Sequence, residues 1–444
     1  MQALMTNALM DEYRQVLQLA DSLFDSLTDD GMYAQPIKLR HPCIFYFGHL
    51  PAFAWNQIFR GVLRRKPFHA EFDELFERGI DPPDNTAGLT RPASFPRVEA
   101  IAQYKSRIET ELLELLDTFG ARGLADSDLK VALNMVLEHY MMHIETFVYM
   151  WHELNHSFKR NCFSSFEWHQ QKLVDGQRRS IHQDQIDIPA GIATLGAARK
   201  EIDFGWCNEF GNTSQLVEQF QIDRFPVTNA EFAEFVDAGG YKQEQWWSKE
   251  AWAWLNARGH SHPHHWMREN QKWYYHGAAA VESLMENAPA WVSMCEASAF
   301  AHWRGGKLPT EAQFHRAAYA NPSGEGESLY PWGESEPSAS NGNFDLQYPA
   351  PTPIGQFPDG SSQFGVEELV GNGWEWTRTI FSPFPGFKPY PSYSGYSQDF
   401  FDDKHYVLKG GSPVTAKRLL RRSFRNWFQP HYPYVYAKFR CVYE

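Results

Sequence analysis

The 444-residue chain contains no apolar run approaching the roughly 18 residues that a membrane-spanning helix needs, so no membrane partner is expected. Its first residues, MQALMTNALMDEYRQVL, lack a basic segment followed by an apolar block. No secretory signal is therefore expected, and a cytoplasmic location is. Cysteine is scarce: Cys43, Cys162, Cys207, Cys295 and Cys441 are scattered and form no C-x-x-C. Free thiols in a reducing compartment are the simplest account. Positive charge is short as well. A net charge of −13 without a basic cluster argues against a nucleic-acid partner. What the chain has in quantity is aromatic residues, with 16 Trp, 20 Tyr and 33 Phe. Such a content suits a large, loop-rich domain whose irregular backbone is pinned by big side chains.

The length allows two or three domains with sizeable cores. Residues 1–160 read as helical, with apolar positions at three and four spacing in Asn7–Leu27, His41–Leu63, Pro96–Phe119 and Asp126–Asn155. Four such segments predict a four-helix bundle. Residues 161–185 are polar and read as a linker. Beyond it, from the strand-like IDIPAGIATLG onward, Gly, Pro, Trp and Asn recur every few residues. Residues 186–444 are therefore expected to form an α+β domain with short strands, a helix over Ser293–Gly305, and much irregular structure. The fold class expected for the whole chain is α+β in two domains.

The segment LEHYMMHIETFVYMWHELNHSF (Leu137–Phe158) holds two histidine pairs at i,i+4 spacing, His139/His143 and His152/His156. On a helix the members of a pair stand about 40° apart, and the two pairs are about half a turn out of phase. They cannot share one ion. Ala132, Val136, Phe147, Met150 and Leu154 fall near the His139/His143 face, which predicts that this pair points into the bundle. Asn134, Glu138, Glu145, His152 and His156 form a polar stripe expected to face solvent or the second domain. Spacing alone admits both hydrogen-bonded core histidines and metal ligands for the inward pair. HELNH matches the H-E-x-x-H pattern of zinc hydrolases, but no third ligand follows at metzincin spacing. A third ligand for the inward pair is best sought in His49, which lies amid Phe45, Phe47, Leu50 and Phe53, where an unpaired imidazole would be costly. Gly48 beside it permits a close approach. His41, before Pro42, reads as a helix-start residue.

RHPCIFYFGHLPAF followed by HYMMHIE resembles the DinB-type bundle of the ergothioneine sulfoxide synthases. IPAGIATLG, FPVTNAEFAEFV, KLPTEAQF, LVGNGWEWT, VLKGGS and RRSFRNWF resemble their formylglycine-generating-enzyme-like domain, a C-type-lectin-like fold. The resemblance implies a non-haem Fe(II) enzyme with a facial site of His49, His139 and His143. Three neutral imidazoles would leave about three positions for thiolate, substrate imidazole and O2. Such enzymes join a thiol sulfur to C2 of the imidazole of hercynine and yield a sulfoxide. The family's proton-donating tyrosine aligns best with Tyr393, then Tyr396, then Tyr390. Asn426 and Trp427 match hercynine-contacting positions, and a Trp face suits a trimethylammonium group. Where relatives that use γ-glutamylcysteine carry charged residues, this chain has Phe428 and Tyr432, and Met142 replaces a glutamine. The resemblance therefore points to free cysteine as the sulfur donor, with Arg91 as a possible partner for its carboxylate.

Competing expectations are a selenosugar donor (selenoneine synthesis), attack on histidine itself (the ovothiol route), a zinc hydrolase using His152, Glu153 and His156, and a non-catalytic binding module. Formylglycine generation is disfavoured because the tail has only Cys441. GHSHPHHW (Gly259–Trp266) reads as a polar loop rather than a second metal site. Related domains bind Ca2+ around segments like GNGWEWT, which makes Glu375 and Asn343 possible oxygen ligands of a structural calcium ion.

Overall fold

The computed structural model describes residues 2–77, 95–122, 127–160 and 185–444, apart from positions 279, 325 and 349. The chain divides into two compact units, Met1–Glu167 and Trp168–Glu444.

The first unit is built on four long helices. They are α1 (Gln2–Asp25), α3 (Cys43–Ala54), α5 (Val98–Arg122) and α6 (Ser127–Glu153); α2 (Asp29–Tyr33) and α4 (Ala70–Leu75) are short. Both α1 and α3 pack on α5 and α6. Eleven of the twelve residues of α3 are buried, as expected of a helix that is apolar all round. The single helix expected over His41–Leu63 is composite. It starts after Pro42, which has no N–H to donate, and carries Pro51 inside. From Trp55 to Val62 it widens into a π-helix, whose end is marked by the Leu63 N–H donating to Ile58 O at 2.9 Å.

The polar stripe of α6 does not face solvent. Asn134, Glu138, Glu145 and His152 are all buried. Burial removes the solvent alternative for these four, while His156, the fifth residue of the stripe, is exposed; α6 packs against α1, α3 and the π-helical turn.

The second unit begins with β1 (Gln185–Ile188), β2 (Gly191–Leu195), β3 (Thr213–Val217) and β4 (Phe220–Asp223), then α7 (Asn229–Asp237) and α8 (Lys249–Arg258). A small sheet of β5 (Trp266–Glu269), β6 (Lys272–His276) and β7 (Val281–Ser283) follows, then α9 (Met294–Trp303) and α10 (Glu311–Tyr319). The last strands are β8 (Gly373–Ile380), β9 (Tyr406–Gly411), β10 (Asn426–Phe428), β11 (Ala437–Lys438) and β12 (Val442–Tyr443). The main sheet has the order β10-β9-β8-β11, and β4 is flanked by β1 and β12, which ties the start of the unit to its end. One core gathers Ile188, Leu195, Phe220, Ile222, Phe314, Val366 and Val442.

Between these strands the chain is irregular, and buried indoles pin it. Trp376 Nε1 donates to Val292 O at 2.9 Å and Trp291 Nε1 to Asn372 O at 3.1 Å. Buried ion pairs do the same. Arg425 meets Glu311 at 3.0 Å, Arg421 meets Glu209 at 2.5 Å, and Glu375 meets both Arg440 and, at 3.3 Å, Lys438.

The last contact corrects the calcium expectation. The carboxylate of Glu375 is already neutralised by two cations. Asn343 Oδ1 accepts from Tyr348 N at 3.1 Å, and its amide donates to Ala350 O at 3.0 Å. Both side chains are thus engaged within the protein.

Candidate metal centre

Three imidazoles converge inside the first unit. His49 comes from the middle of α3, and His139 and His143 come from successive turns of α6. All three are buried, at 2%, 1% and 2% exposure. His139 Nε2 stands 3.2 Å from His49 Nε2 and 3.1 Å from His143 Nε2. Aromatic faces hold the rings: Phe53 stacks on His139 at 3.6 Å, Phe45 on His49 at 5.1 Å, and Tyr46 leans over His143 at 5.6 Å.

His49 Nδ1 lies 2.6 Å from the carbonyl of Phe76. A carbonyl only accepts, so His49 carries its proton on Nδ1 and turns a bare Nε2 lone pair inward. Burial drives all three rings towards the neutral form. It brings His49 down to about 4, against the Phe76 carbonyl, which pulls the other way. His139 and His143 are pushed well below the usual range by burial, then by their neighbouring imidazoles; the buried guanidinium of Arg40 further opposes a charge on His143.

The donor set fits a metal ion. A zinc ion holds an imidazole nitrogen at about 2.1 Å, so two such nitrogens stand about 3.0 Å apart at a right angle and about 3.4 Å apart at the tetrahedral angle. The observed spacings lie in that interval. Neutral, dry lone pairs crowded this closely repel one another, and a cation between them is the arrangement that satisfies all three.

A pH dependence follows for the metal-free protein. His49 titrates near 6.5 when unfolded and about 4 when folded. The unfolded chain therefore binds more protons between those values, and stability falls as pH drops from about 6.5 towards 4. Urea midpoints across that range should decline, and a His49→Phe variant should lessen the decline by the His49 share, leaving that of His139 and His143.

His152 and His156 do not form a comparable site. Helix α6 ends at Glu153, so the two residues do not share a helix; His156 lies in an exposed 3-10 turn. Among the described residues no metal-ligating group joins them.

The second unit gathers the aromatic residues singled out in the sequence. Tyr396 stacks on Trp206 at 3.9 Å, lies 5.7 Å from Tyr393, and meets Trp427 edge-on at 5.3 Å. Trp427 stacks on Phe381 at 4.3 Å. The Tyr390 hydroxyl donates to Gly205 O at 2.7 Å, and burial pushes its phenol up to about 12. Alternation along β10 puts Asn426 and Phe428 on the face opposite Trp427. Asn426 Oδ1 accepts from the Trp427 N–H at 2.9 Å, and Phe428 packs on Tyr432 at 5.0 Å. Arg91 lies outside the described residues, as does Cys162. Sequence reasoning missed Phe76, Arg40 and Trp206. The Phe76 carbonyl carries no side-chain signal, Arg40 opens the RHPCIFYFGHLPAF segment without any sign there of its effect on His143, and Trp206 stands in none of the motifs quoted above.

Among the described residues no helix is long and apolar enough to cross a membrane. Residues 12–147 match the DinB superfamily, and residues 170–444 match the Sulfatase-modifying factor enzyme 1-like domain. The chain is 30% identical to the hercynine oxygenase of Mycolicibacterium thermoresistibile, across 98% of this chain and 94% of that protein. Identity to the hercynine oxygenase of Mycobacterium tuberculosis is 38%, across 51% of this chain and 53% of that one. Ergothioneine biosynthesis protein 1 of Neurospora crassa is 28% identical over 94% of this chain, which spans about half of the fungal protein, 55% of its length. Both domains, in this order and across nearly the full length, place the chain in the family of the mycobacterial hercynine oxygenases.

Proposed function

We propose that this protein is a non-haem iron(II), O2-dependent oxidoreductase that joins the sulfur of cysteine to C2 of the hercynine imidazole, giving a sulfoxide. The observation that carries the reading is the convergence of the His49, His139 and His143 Nε2 atoms in a buried, neutral setting. An iron(II) ion held there would bind the thiol as thiolate and activate O2.

The chain's own residues supply the rest. His49 is locked in the tautomer that presents Nε2. Phe45 and Phe53 keep water from the rings on one side. In the second unit, the half-buried indole of Trp427, stacked on Phe381, is the proposed cation–π seat for a trimethylammonium group. Tyr393 is the proposed proton donor, with Tyr396 next. Tyr390 is the weakest of the three because its hydroxyl is committed to Gly205 O. The apolar Phe428–Tyr432 stack favours a small thiol over one that brings a second carboxylate.

The test is oxygen uptake by the anaerobically purified, iron-loaded protein. Uptake should require hercynine and a thiol together, and mass spectrometry should find one C–S linked sulfoxide. Cysteine should outperform γ-glutamylcysteine and a selenosugar. Uptake with thiol alone at the full rate, or no linked product, would remove the reading.

A further inference from the structure

We infer that Asp73 and Phe76 are positioning residues that preset the His49 imidazole for metal binding, with Gly48 and Tyr104 as the contacts that hold them. The inference rests on the metal reading of the three histidines and goes beyond it. It concerns what makes one ligand ready before any ion arrives.

Helix α4 has six residues, too few to hold a helical conformation unaided. Its anchor is Asp73, a carboxylate 1% exposed. One oxygen accepts the Tyr104 hydroxyl of α5 at 2.7 Å, and the other accepts the Phe68 N–H at 2.9 Å. The Asp73 carbonyl accepts Asn56 Nδ2 at 3.1 Å, and Asn56 Oδ1 accepts from Arg60 at 2.8 Å, both from the π-helical turn. The short helix is thus fixed to α5 and to the continuation of α3. Asp73 is not itself one of the three converging ligand side chains.

Phe76 caps α4, its N–H bonded to Phe72 O at 3.0 Å. Its fully buried ring lies flat over Gly48, where a Cβ would come within 2.5 Å of the ring tip. That approach sets the distance between the Phe76 carbonyl and the next residue of α3, His49. Only one ring orientation and one tautomer of His49 satisfy a carbonyl at 2.6 Å from Nδ1. The carbonyl also raises the basicity of the inward lone pair. Without it, His49 could carry its proton on Nε2 and relieve the crowding against His139, and the metal would then have to displace that proton.

Gly48→Ala isolates the device. A purely structural view of the clash with the Phe76 ring expects lost stability, with the folded protein keeping its Fe(II) affinity. The positioning view expects the Phe76 ring to be driven off and Fe(II) affinity, measured anaerobically against a chelating dye, to fall about 10–100-fold. Gly48→Ala combined with Phe76→Leu makes room for the new methyl and keeps the carbonyl, and should recover most of the loss. Tyr104→Phe, which removes only the hydroxyl on Asp73, should weaken Fe(II) by about tenfold with the fold intact.

In the metal-free protein, 15N-histidine spectra should show one protected, downfield Nδ1–H proton. It should be lost in Gly48→Ala and return in the double variant. Wild-type affinity in Gly48→Ala, or a double variant as weak as the single one, would overturn the inference and leave the metal reading standing. If Gly48→Ala does not fold, wild-type affinity in Tyr104→Phe overturns it. No Fe(II) binding by the wild-type protein would sink both.

Discussion

His139→Ala is expected to abolish iron retention and oxygen uptake, while His156→Ala leaves both at the wild-type level. His139 is the hinge of the cluster, since its Nε2 is the atom within 3.2 Å of His49 and 3.1 Å of His143. Removing it leaves two imidazoles, one on α3 and one on α6. The loss in affinity should exceed the roughly 10–100-fold that removal of an outer-shell partner costs. His156 lies beyond the end of α6 and is exposed, so its truncation changes a surface residue. Anaerobic iron analysis, oxygen-electrode traces and far-UV circular dichroism of both variants would check the result. The converse pattern, uptake surviving in His139→Ala and failing in His156→Ala, would transfer the chemistry to the HELNH segment.

Glu375→Gln should cost about 3–5 kcal/mol of stability, a large share of the roughly 5–15 kcal/mol that holds a typical domain together. Glu375, Arg440 and Lys438 are each 0% exposed. The neutral amide would leave two cations facing each other without a counter-charge. Burial already lowers the Lys438 ammonium from its usual range, with the Glu375 carboxylate acting against that. Arg440 also donates to the carbonyls of Arg224 at 2.9 Å and Glu367 at 2.9 Å, so displacing it loosens several loops at once. Because the chain has two units, their transitions should be followed by separate probes, with tryptophan fluorescence for the second. A loss below about 1 kcal/mol would mean the triad is hydrated in solution and holds little.

Much of the candidate metal centre was legible in the residue pattern. Three-and-four periodicity marked the long helices, and i,i+4 spacing on an apolar face turned His139 and His143 inward. A histidine amid phenylalanines made His49 their partner. For the stripe of Asn134, Glu138, Glu145 and His152 the same reasoning left solvent and the second domain open, and their burial removes solvent. A helix wheel reports polarity, and polarity predicts exposure only where a helix has a free side. Resemblance to related domains offered Glu375 and Asn343 to calcium, and in the fold Glu375 is paired with Arg440 and Lys438 while Asn343 bonds the backbone of Tyr348 and Ala350.

By itself the sequence determined the periodicities, the inward histidine pair and the division into a helical part and an aromatic-rich irregular part, since these depend on contacts within a few residues. Only the tertiary structure decided which backbone carbonyl holds His49, which cations neutralise Glu375, and that α3 continues as a π-helix. Those depend on groups far apart in the chain. Phe76 is 27 residues from His49 and Arg440 is 65 from Glu375, and no local pattern encodes a partner met only on folding.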